Sequence, residues 1–119
     1  MSVTAGTTVL NGWDEINSMF DRVFNLITTH LVTNIRAETK EGETDDKGRE
    51  VARLTAHAMS WHVREEDAFT EGDKSYRASS LYDVVLVRDE GDGEGALWKI
   101  RNWGIRVLWT TGDVKILHG

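Results

Sequence analysis

"SSLYDVVLVRD", residues 79–89, and "LWKIRNWGIRVLWT", residues 97–110, decide the fold. Both are rich in Val, Leu, Ile, Tyr and Trp, and the Gly/Asp-rich turn "EGDGEGA" (90–96) separates them, so they read as two long antiparallel strands. Upstream, "VARLTAHAMSWHV" (51–63) alternates only in part. It lies between two polar excursions, "TKEGETDDKGRE" (39–50) and "REEDAFTEGDKSYRA" (64–78), and reads as another strand. "HLVTNIRAE" (30–38) is the β-prone run before it. Ahead of these, "NGWDEINSMFDRVFNLITTH" (11–30) places Trp13, Ile16, Phe20, Val23, Phe24 and Ile27 at steps of three and four residues. That spacing makes one apolar stripe on a helix, with Asp14, Glu15 and Asp21 on its wet side and Asn11 or Gly12 at its start. Residues 1–10 read as a loose segment, and "TGDVKILHG" (111–119) as an end containing a short final strand. One helix followed by four long strands joined by hairpin loops gives an α+β fold. Its sheet is curved and largely antiparallel, with the helix across its concave face.

The chain has 119 residues, enough for a single domain spanning 1–119. A net charge of -6 argues against a nucleic-acid surface, which needs a basic patch. The chain has no cysteine, which removes disulfides, a thiolate nucleophile and Cys-based zinc sites. No apolar run reaches the length of a membrane span and no leader pattern opens the chain, so the expected location is cytoplasmic. "GDGEG" (91–95) sits between hairpin strands with acids interleaved and no following helix, which makes it a poor phosphate loop. The acids at 41–50 do not follow a calcium-loop spacing, and Ser79 and Ser80 have no nucleophile elbow. The histidines form no local metal motif, so no metal and no cofactor is expected.

Two of the four histidines, His57 and His62, lie five positions apart, an odd separation that sends them to opposite faces of a strand. Ala52, Leu54, Ala56, Ala58, Ser60 and His62 form a small or apolar set. Arg53, Thr55 and His57 are wetter, although Met59 and Trp61 break that pattern. From the residues alone, His62 is either a pocket group or a strand-end histidine in solvent. His30 is either inward-facing or a cation near a helix C-terminus. Asp83 interrupts an apolar strand and is either an exposed residue near the strand's start or a buried carboxylate that needs a partner.

The segments "VLNGWDEI", "TTHLVTN", "LTAHAMSWHV", "SLYDVVLVRD", "LWKIRNW" and "LWTTGD" occur in an order that resembles SnoaL-like proteins. These belong to the nuclear-transport-factor-2-like cone fold, which includes scytalone dehydratase and limonene epoxide hydrolase. The resemblance runs from about Val9 to Asp113. It implies a cone-shaped α+β barrel around a deep apolar pocket, lacking most of the usual N-terminal helical segment. The expectation is therefore a shortened cone, or one completed by a partner chain.

Carried over from scytalone dehydratase, the two histidines that do acid–base work fall on His30, in "TTHLVTN", and His62, in "SWHVR". Asp83 falls on a polar pocket position and is expected to reach one of them, with His57 on the other face. Phe20, Phe24, Ser60, Trp103, Ile105 and Val107 are the expected substrate-binding wall. The resulting expectation is a cofactor-free dehydratase, cyclase or isomerase acting on an apolar polyketide- or terpenoid-like molecule, and forming a homodimer through Trp103 and Trp109. The competing reading is a non-catalytic module of the same fold that binds an apolar ligand or dimerises.

Overall fold

A computed structural model describes residues 1–70, 72–89 and 97–118; the expected turn at 90–96 lies outside them. The described residues form six strands and two α-helices. In order they are β1 (Ser2–Ala5), β2 (Thr8–Asn11), α1 (Gly12–Phe24), β3 (Ile27–Thr44), β4 (Glu50–Val63), β5 (Ser75–Asp89), β6 (Leu97–Gly112) and α2 (Lys115–His118). A single 3-10 turn, Glu65–Asp67, lies between β4 and β5. One six-stranded curved sheet has the order β2-β1-β6-β5-β4-β3. Its four long strands pair antiparallel, and only β1 runs parallel to its neighbour β6. The α+β class and the largely antiparallel sheet are as the sequence predicts.

Helix α1 starts where Asn11 holds an extended backbone and its N–H donates to Glu15 Oε2 at 2.7 Å. The acids of the first turn also face the positive end of the helix dipole. The helix ends at Phe24, three residues short of the expected Ile27, because the β-branched run Ile27–Thr29 favours extended backbone. His30 therefore stands inside β3 and not at a helix end. Val3 and Ile16 are fully buried, and the Phe20 ring stacks on Trp103 with centroids 5.8 Å apart. Those contacts fix α1 over the β1–β6 side of the sheet.

Three sequence expectations need correction. Residues 1–10 are not loose: β1 and β2 form a hairpin, with Val3 opposite Leu10 on one side and Trp103 on the other. The polar stretch 39–50 is only partly loop, since β3 runs to Thr44. The turn beyond it is held by Asp45 Oδ1, which accepts the N–H of Lys47 and of Arg49. The chain's end is not a strand: Gly112, at φ +94, turns the backbone into α2, whose Ile116 is buried.

Candidate functional site

Partners across a sheet share a face, and so do alternate residues along a strand. Two rungs run Thr28–His62–Tyr76 and His30–Ser60–Ala78. On the same face further along lie Ala56, Tyr82, Ile105 and Trp103. Because Phe20 stacks on Trp103, this is the face that α1 covers.

His30 and His62 are brought together there. Their rings stand nearly perpendicular, at 78°, with centroids 5.6 Å apart. Thr28 Oγ1 lies 3.0 Å from His62 Nδ1 and 3.4 Å from His30 Nδ1. Tyr76 closes the far side of His62, its ring stacked at 6.0 Å. His62 is only 4% exposed, whereas His30 remains open to solvent. Burial holds the His30 imidazole below its ordinary value of 6.5. It does the same to His62, and the neighbouring His30 adds to the shift because two adjacent cations repel. Burial thus favours the neutral form of both rings, which has one N–H and one lone pair.

The expected wall residues lie around this pair in unequal ways. Phe20, stacked between Phe24 (5.7 Å) and Trp103, and Tyr82, edge-on to Trp103 at 5.0 Å, make an aromatic cluster. Burial raises the Tyr82 hydroxyl above its ordinary range. The Trp103 Nε1 is buried without a hydrogen-bond partner among the described residues. Ser60 is the cross-strand partner of His30. Ile105 and Val107 continue the face along β6, while Phe24 and Val107 are well exposed. Beyond Val107 a bulge changes the phase: Ser80 pairs with Val107 but Ser79 with Trp109, so Trp109 passes to the opposite face.

Asp83 does not join the histidines. Its rung is Arg36–Thr55–Asp83–Gly104, on the outer face with His57, whose rung is Thr33–His57–Leu81–Arg106. The reason is the period of two: Asp83 and Tyr82 must point oppositely, and Tyr82 is the one that meets Trp103. The carboxylate is exposed and lines an open groove of about 1060 Å³ with His57, Asn34, Arg36 and Arg106. At the irregularity between Thr33 and Arg36, Asn34 adopts φ +52, and its amide donates to His57 Nδ1 at 3.2 Å. Among the described residues no three His, Asp or Glu side chains converge on a metal-sized site.

Sequence reasoning missed Thr28, Tyr76 and Tyr82. Thr28 carried a usable signal, since it precedes His30 by two residues and must share its face.

No protein-family model matches the chain. The terrestric acid biosynthesis cluster protein E of Penicillium crustosum is 34% identical over 107 residues, 89% of this chain. The chain spans 62% of that relative's length. Among solved structures, the Kfla4162 protein of Kribbella flavida superposes with a TM-score of 0.72 at 13% identity, over 100% of this chain and 76% of its own. The hexachlorocyclohexane dehydrochlorinase LinA-type3 of Novosphingobium barchaimii gives 0.64 at 17% identity, over 95% and 68%. At these identities the two structures establish a shared fold.

Proposed function

We propose that the chain is a SnoaL-like protein of the nuclear-transport-factor-2-like cone-fold superfamily, a reading supported by the shared fold and by the relative from a biosynthesis cluster. In this reading it is a lyase-type or isomerase-type enzyme of secondary metabolism that acts on a small, largely apolar molecule, as a dehydratase or cyclase would. The observation that carries it is the pair of imidazoles, His30 and His62, side by side on the helix-covered face. Neutral rings can both take and give a proton near pH 7, and acid–base groups so placed need no metal or cofactor. The relative from a biosynthesis cluster supports the metabolic setting, and the fold-mate named as a dehydrochlorinase supports elimination chemistry. Phe20, Phe24, Ser60, Trp103, Ile105 and Val107 would line the substrate's apolar body.

Asp83 has no part in this chemistry, because the sheet lies between it and the histidines. A homodimer and a cytoplasmic location belong to the same reading.

A non-catalytic binding module of the same fold is the competing reading, favoured by the exposure of Phe24 and Val107. A structure with bound ligand decides between them. The enzyme reading expects the reacting carbon and leaving oxygen within hydrogen-bond reach of His30 and His62. A ligand lying against Phe24 and Val107 with both imidazoles untouched would establish the module instead.

A further inference from the structure

The histidine pair leaves one question open: which ring is the base and which the acid. Two neutral imidazoles on one apolar face are chemically alike, and proximity alone does not give them different roles. The Thr28 hydroxyl does. Its oxygen lies within hydrogen-bond distance of Nδ1 on both rings. A hydroxyl has one proton to give and two lone pairs to accept with. It cannot donate to both rings, so at least one Nδ1 must carry a proton. If both did, the Thr28 proton would need a third partner in a half-buried position. The arrangement that satisfies every group has Thr28 donating to one Nδ1 and accepting from the other.

We propose that the Thr28 hydroxyl is a proton relay between His30 and His62 that fixes the two rings in opposite tautomers. This rests on the reading of that pair as the acid–base centre. The distances assign the direction. Hydroxyl donors make the shorter bonds, so Thr28 donates to His62 Nδ1 at 3.0 Å and accepts from His30 Nδ1–H at 3.4 Å. His62 then carries its proton on Nε2 and is the acid. His30 has a bare Nε2 and is the base.

In an elimination, His30 Nε2 takes the proton from carbon, and the C–H pair becomes the new π bond. The C–O bond breaks, its electron pair leaves with oxygen, and His62 Nε2–H protonates that oxygen. The proton on His30 Nδ1 passes to Thr28 Oγ1, whose own proton passes to His62 Nδ1. Every atom is accounted for and neither ring is left charged. The tautomers have exchanged; the reset releases a proton from His30 Nε2, delivers one to His62 Nε2 and runs the relay in reverse, with water that enters the site after product release as proton acceptor and donor.

Thr28 is thus a positioning residue, and its role is visible without substrate. In protein labelled with ¹⁵N-histidine, long-range proton–nitrogen correlation at mildly alkaline pH reads each ring's tautomer directly. The expected spectrum has Nε2 bare on His30 and Nδ1 bare on His62. Thr28→Val, which keeps the shape and removes the hydroxyl, should release both rings to the Nε2–H form, and Thr28→Ser should keep the wild-type pattern. One shared tautomer in the wild type, or an unchanged pattern in Thr28→Val, overturns the relay. If a substrate is in hand, kcat of Thr28→Val should fall about 10²-fold, with KM unchanged and Thr28→Ser restoring it. Turnover that survives His30→Ala would instead sink the acid–base reading while leaving the tautomer result standing, so the two failures are distinguishable.

Discussion

At the scale of residues, three imidazoles on two faces make an internally controlled experiment. His30→Ala and His62→Ala should each lower turnover by about 10² to 10⁴, whereas His57→Ala, on the outer face, should leave it near wild type. Equal losses at all three positions would mean that the sheet, not the pair, is being damaged. Protonation adds a second test. Both helix-side imidazoles titrate below 6.5 when folded, so between the folded and unfolded values the unfolded chain binds more protons. Their contribution to stability is complete above 6.5 and is lost as the pH falls through the folded value. Urea midpoints measured at about pH 7.5 and pH 5 should therefore drop more for the wild type than for a His30→Gln/His62→Gln double variant. An equal drop in the two proteins would remove the pair from the acid response. This pairing was expected from the resemblance to scytalone dehydratase; parity separates His62 from His57 but does not say which of them meets His30. The expected Asp83 partnership does not form. Its alternation was readable, but which of the two faces α1 would cover depended on Trp103, a residue far away in sequence.

At the scale of elements, the two ends of the chain show what a local reading cannot see. Residues 2–11 are short and small, and their β-branched members do not by themselves decide between strand and loose chain. They become strands because β6, a hundred residues on, offers a free edge for β1. The final segment has strand-like Val114, Ile116 and Leu117, yet Gly112 at φ +94 turns it away from the sheet. That glycine cannot be replaced cheaply. A Cβ there would stand 2.0 Å from the Ser75 carbonyl oxygen, in a backbone conformation that side chains rarely adopt. Gly112→Ala should lower stability by more than about 1 kcal/mol and loosen Ile116 from β4 and β5. A denaturation midpoint unchanged from wild type would refute this. The helix is held differently, by burial: Ile16 is 1% exposed, and Ile16→Ala should cost about 2–5 kcal/mol. A loss well below that would mean α1 adds little to the fold.

At the scale of the whole molecule, the outer face carries apolar groups that the fold leaves partly exposed. The rung Leu31–Met59–Ser79–Trp109 crosses four strands, with Trp61 beside it on the next rung. Leu31 is 53% exposed and Trp109 48%. The sequence pointed to self-association through Trp103 and Trp109, but only one of them is on this face. Trp103 lies beneath Phe20, and the bulge after Val107 carries Trp109 to the other side. A bulge adds one residue and reverses the phase beyond it, a shift that no count of alternate residues can anticipate. Exposed apolar groups gathered on one face, as Leu31 and Trp109 are, favour contact with a second copy. Light scattering at micromolar concentration should give a dimer for the wild type. Trp109→Lys should shift the population toward monomer, because a cation in that row would have to be desolvated for the faces to meet. Phe24→Ser, on the helix side and 71% exposed, removes comparable apolar surface from the opposite face and should leave the dimer intact. A wild-type monomer would show that this row is simply solvated. Dissociation by Phe24→Ser, with Trp109→Lys silent, would move the contact to the face that holds the histidines.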